Sequence, residues 1–88
     1  METDKKLELS VKLIWDFRGA DALAFAKHHA LHLNEYLTQK SYPDHVAGSH
    51  PLTDFHAIAY LLCNRENMIT LRDELKPHRA EKYEPQAG

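Results

Sequence analysis

The clearest alternation in the chain runs over residues 7–17. Leu7, Leu9, Val11, Leu13, Trp15 and Phe17 fall on one side, and Glu8, Ser10, Lys12, Ile14 and Asp16 on the other. This is the period-two pattern of a half-buried strand, with Ile14 as the apolar exception on its polar side. The period changes after Gly19. Across residues 18–40, Phe25, Tyr36, His29, Ala22, Leu33, Ala26, Leu37, Ala30 and Leu23 share one arc of roughly 160° at about 100° per residue. Asn34, Lys27, Thr38, Glu35, His28, Asp21 and His32 take the opposite arc. The spacing predicts one long amphipathic helix ending near Gln39, with Gly19 at or beside its N-cap and Asp21 in the first turn.

Residues 41–54 carry Pro43, Gly48 and Pro51 and read as a long irregular connection. Residues 55–63, FHAIAYLLC, are apolar on both alternations and predict a strand covered on both faces. Asn64 to Asn67 read as a hairpin turn, and residues 68–75 as a more polar return strand at a sheet edge, stopped by Pro77. The resulting expectation is an α+β domain of order β-α-β-β over residues 7–76. One long helix would pack on one face of a small three-stranded mixed sheet. Residues 1–6 are expected to be disordered and 77–88 to form a mobile polar tail.

Only the element order resembles a known group: strand–helix–strand–strand is similar to the first part of a ferredoxin-like βαββαβ unit. The resemblance implies units that pair into dimeric α+β barrels, but the closing helix and strand are missing from this reading. A helix on one sheet face leaves the other uncovered, and Ile14, Ile58, Tyr60 and Leu62 are placed to line it. A second copy is the simplest cover, so a homodimer is expected.

Composition narrows the function classes. A net charge of −2 gives no electrostatic reason to expect nucleic acid or an anionic membrane surface. No apolar run approaches a membrane span, and residues 1–10 lack a signal-peptide pattern. The single cysteine, Cys63, excludes an internal disulfide and fits a reducing, cytoplasmic setting. Its place at the end of an apolar strand is that of a packed thiol rather than a nucleophile. Basic residues of the last quarter alternate with Glu66, Asp73, Glu74, Glu81 and Glu84, a solvated mixed-charge surface.

Seven histidines are the unusual count. His28, His32 and Glu35 stand at i, i+4 and i+7 on one side of the helix. Two imidazoles one turn apart can ligate one transition metal such as zinc, with the carboxylate third and His45 or His50 as a possible fourth. The stretch lacks HExxH, so the alternative is a solvated histidine pair. His29 lies inside the apolar arc. It is either a core histidine or a general base or ligand contact lining a cavity, with Tyr36, Trp15 and Tyr60 as neighbours suited to a small apolar ligand. Asp54 stands two residues before His56 and could orient it. The readings that follow are a small binding or protein-interaction module without catalytic constellation, a metal-binding protein, or a cofactor-independent enzyme of the dimeric-barrel type with a histidine base.

Overall fold

The computed structural model describes residues 9–42 and 44–84. Its element order is β1 (Val11–Arg18), α1 (Ala22–Gln39), β2 (Val46–Thr53), β3 (His56–Cys63), α2 (Arg65–Leu75) and β4 (Arg79–Lys82). The chain is therefore α+β, but the described residues form one sheet of four strands in the order β2-β3-β1-β4, every pairing antiparallel, rather than three in a mixed sheet. β3 lies between β1 and β2, so these two are not neighbours. Order and connectivity are those of a split βαβ, ferredoxin-like arrangement. The closing helix and strand absent from the sequence reading are present.

Three segments account for the difference. The expected return strand over 68–75 is helix α2. Asn64, extended at φ −90° and ψ 169°, accepts a hydrogen bond from the Asn67 amide at 2.8 Å and caps it. Glu66 in its first turn and Arg72 in its last suit the helix dipole. Met68, Leu71 and Leu75 repeat at three and four residues, a helical spacing, and Leu71 is fully buried. The expected irregular stretch 41–54 contains β2. An edge strand tolerates Pro51, and the register shifts directly after it, between Pro51 and Thr53. Residues 79–82, expected within a tail, form β4 against β1. Residues 1–6, expected to be disordered, and 85–88 lie outside the described residues.

Both helices cover the same face of the sheet. Leu13 and Trp15 of β1, Ala59, Leu61 and Cys63 of β3, Leu33 and Leu37 of α1, and Leu71 of α2 make one core. Ala22 and Ala26 pack on Ala57 at the other end of α1, where the small side chains bring helix and strand close. The buried arc of α1 is narrower than its apolar arc: Ala22, Ala26, Ala30, Leu33 and Leu37 are buried, whereas Phe25 is 58% exposed. Trp15 Nε1 donates to the Leu75 carbonyl at 3.1 Å, docking the end of α2 on β1.

On the opposite face, Ile14, Ile58 and Leu62 are buried within a single chain, at 1%, 4% and 9% exposure. Ile14 stands opposite Tyr60 on β3 and Arg79 on β4. The Lys12 ammonium sits 5.1 Å from the Tyr60 ring centre, and Arg79 reaches across to Asp16. Long side chains thus lay their stems over the apolar ones while their heads stay wet. No helix among the described residues is long and apolar enough to cross a membrane.

Candidate functional site

The histidines separate into four settings. His29 projects from α1 between Trp15 and Phe17, with ring centres at 5.0 and 5.6 Å. Its Nε2 is buried and has no hydrogen-bond partner among the described residues. Burial, and then the neighbouring His32, His78 and His28, hold its pKa below the ordinary histidine value. The neutral ring is packed on aromatic surface. The ligand group expected around it does not assemble. Tyr60 pairs with Ile14 while Trp15 pairs with Ala59, and alternation puts Tyr60 on the other face of the sheet. Tyr36 turns away to donate to the Glu74 carboxylate of α2, and burial with that carboxylate pushes its hydroxyl up to about 12.

His56 is oriented by a carboxylate, but the carboxylate is Asp16 rather than Asp54. Its Nε2 lies 2.7 Å from Asp16 Oδ1 across the β1–β3 pair. Arg79 donates to the same carboxylate from Nε at 2.9 Å and Nη2 at 3.1 Å, and from Nη1 to Glu81 at 2.8 Å. The guanidinium beside Asp16 holds its carboxyl well below the usual carboxylate range, burial opposing and His56 assisting. The Asp16 amide donates to His78 Nδ1 at 2.8 Å. Chemically, this is a saturated ion cluster that ties β3 and β4 to β1. Cys63 is remote from these groups in character: burial pushes its thiol up to about 11, so it is an inert packed side chain.

His28 and His32 do meet. Their Nε2 atoms are 3.0 Å apart, and the rings are edge to face at 4.5 Å. Glu35 reaches His32 from behind, its Oε1 3.4 Å from Nδ1. Neither His45 nor His50 joins them, and no three His, Cys, Asp or Glu side chains converge on one point among the described residues.

His45 supplies the setting that sequence reasoning passed over. At the C-terminal end of α1 the chain turns through Ser41, whose φ of 63° is left-handed, and returns to β2. Asn34, Leu37, Thr38, Ser41, Tyr42 and His45 line a cleft of about 450 Å³ there, within the size range of small-molecule sites. Tyr42 stacks on Tyr36 at 6.4 Å, and His45 tilts onto Tyr42 at 5.1 Å. Asn34 Nδ2 donates to the Ala47 carbonyl at 3.3 Å, fixing helix against β2 and leaving its side-chain oxygen for other partners. Both ring nitrogens of His45 are buried without a partner among the described residues, and burial lowers its pKa. Leu31, Glu35 and Gln39 extend the depression along α1 through the shared Asn34 and Thr38. The only signal in the sequence was the polar run Asn34, Thr38, Ser41 beside Tyr42, broken across a helix end and a loop. No family model, curated protein or solved structure matches the chain.

Proposed function

We propose that this chain is a small binding module without chemistry of its own, and that its ligand seat is the cleft at the C-terminal end of α1. The observation that carries the reading is His45: both ring nitrogens are buried and neither has a partner among the described residues, in the wall of a cleft of about 450 Å³. A buried polar group left unpaired costs about 1–3 kcal/mol. A ligand that turns the ring outward gives one nitrogen the partner it lacks. Kept neutral by burial, the imidazole offers one donor and one acceptor. Tyr42 and Leu37 offer flat apolar surface, and Asn34, Thr38 and Ser41 offer hydrogen bonds. The ligand class that fits is a small, uncharged, partly aromatic molecule with two or three polar atoms.

The reading is tested by ¹⁵N–¹H spectra of the chain titrated with a library of aromatic and heteroaromatic fragments. Binders should shift the amides of Asn34, Thr38, Ser41, Tyr42 and His45 together. Thr38→Phe, a change at an exposed helix position that fills the cleft mouth, should abolish those shifts while leaving the rest of the spectrum in place. If no fragment moves this group of amides, or if Thr38→Phe leaves binding intact, the cleft is not the seat.

A further inference from the structure

The tautomers of the histidine pair on α1 are set by what stands behind it. Glu35 Oε1 lies 3.4 Å from Nδ1 of His32, and its negative charge favours the tautomer with the proton on that nitrogen and the lone pair on Nε2. With that tautomer, His28 Nε2 is the donor of the 3.0 Å contact. A proton is thus held between two nitrogens one helical turn apart, on side chains that leave His32 and Glu35 each 58% exposed. An ion replacing that proton meets two imidazole nitrogens 3.0 Å apart, carried on successive turns of one helix face. Carboxylate–histidine–metal relays are built in this way, with the acid orienting the ring and raising its basicity.

The separation also says which ion. With metal–nitrogen bonds of about 2.05 Å, nitrogens 3.0 Å apart subtend roughly 95° at the metal. A tetrahedral site would hold them about 3.3 Å apart. That angle is close to the right angle between neighbouring positions of a square-planar or octahedral ion, the geometries of copper(II) and nickel(II), whereas zinc in protein sites is mostly tetrahedral.

We propose that His28 and His32 form a two-imidazole chelate for copper(II) or nickel(II), with Glu35 as a positioning residue on His32 and water in the remaining positions. The assignment differs from a His–His–Glu zinc site in both the ion and the role of the carboxylate. It is independent of the cleft at the end of α1.

Calorimetric titration of the full chain with Ni²⁺ and, separately, Zn²⁺ at neutral pH tests it. One Ni²⁺ should bind per chain, more tightly than Zn²⁺. His28→Gln and His32→Gln should each weaken Ni²⁺ at least tenfold, and Glu35→Gln about tenfold. With Cu²⁺, electron paramagnetic resonance should show a tetragonal signal with splitting from two nitrogens, reduced to one in either histidine variant. All three positions are on the outer face of α1, so unchanged far-UV circular dichroism separates lost binding from lost fold. Wild-type nickel affinity in either histidine variant would overturn the site. Zinc binding as tightly as nickel would overturn the geometric assignment.

Discussion

Replacing Asp16 with Asn tests whether one carboxylate holds the sheet together. The side chain receives three hydrogen bonds, from His56 at 2.7 Å and from Arg79 at 2.9 and 3.1 Å. The His56 contact is sheltered, with side-chain exposures of 17% and 16%, and a hydrogen bond to a charged group of this kind contributes about 1.5–3 kcal/mol. Arg79 is 42% exposed, so solvent screening reduces its share to about 0.5–1 kcal/mol. An amide at position 16 keeps one acceptor but turns an NH₂ toward the remaining donors. The expected loss at pH 7 is roughly 2–3 kcal/mol by urea unfolding, a large part of the stability of a domain this size. The acid response carries the sharper test. A carboxylate whose folded pKa lies far below its unfolded value stabilises fully above the unfolded pKa, near 3.9, and loses that stabilisation as pH falls toward the folded one. The gap between wild type and variant should hold steady from about pH 7 to 5 and narrow below about pH 4.5. Because Arg79 opens β4, amide exchange over residues 79–82 should quicken in the variant before the rest of the sheet responds. A loss below about 0.5 kcal/mol at pH 7, or a gap that ignores acid, would refute the claim.

Two further substitutions probe the packed faces. His29→Leu removes a buried nitrogen without a partner from aromatic surroundings and should stabilise by about 1 kcal/mol at pH 8. Because the folded imidazole resists a proton that the unfolded one takes near pH 6.5, wild-type stability falls as pH drops through that value. The leucine variant should therefore gain more at pH 5 than at pH 8 in paired urea titrations, and equal gains would count against the burial argument. Gly48→Ala puts a Cβ 2.6 Å from the Tyr60 hydroxyl and 2.8 Å from its Cζ, so the ring must leave its place beside Lys12. A cost of about 1–2 kcal/mol is expected, and it should vanish in a Tyr60→Ala background; an additive double-mutant cycle would show that the contact is not the cause.

What the sequence made legible follows the strength of its periodicities. β1 is readable from its alternation, with Leu13 and Trp15 in the core, and β3 from its unbroken apolar run, with Ala59 and Leu61 buried on one face and Ile58 and Leu62 on the other; both strands lie at the centre of the sheet. α2 was lost because its apolar side is only Met68, Leu71 and Leu75. Ile69 is apolar but 49% exposed, and it blurred that spacing into an edge-strand pattern. The decisive signal is Asn64, a capping residue before Glu66, and it fits turn chemistry equally well because the same side chains serve both purposes. β2 and β4 lie at the two edges of the sheet and pair on one side only, so neither needs a hydrophobic face. The segments VAGSHPLT and RAEK carry almost no periodic signal.

The candidate sites divide along the same line. His28, His32 and Glu35 sit on one element, so helix geometry alone brings them together, and their juxtaposition could be read before any coordinates. The cleft at the end of α1 depends on how the chain reverses through Ser41 and where Tyr42 and His45 fall against the helix. Local sequence does not encode that placement. The Asp16–His56 pair depends on register: His56 pairs with Arg18 and Ile58 with Asp16, so the His56 ring reaches a carboxylate diagonally across the strands. Asp54, two residues away in sequence, was the nearer candidate along the chain and the wrong one in space. A carboxylate and an imidazole on separate strands become partners only once the strand order is fixed. Here that order was set by β3 inserting between β1 and β2, the feature the sequence left open.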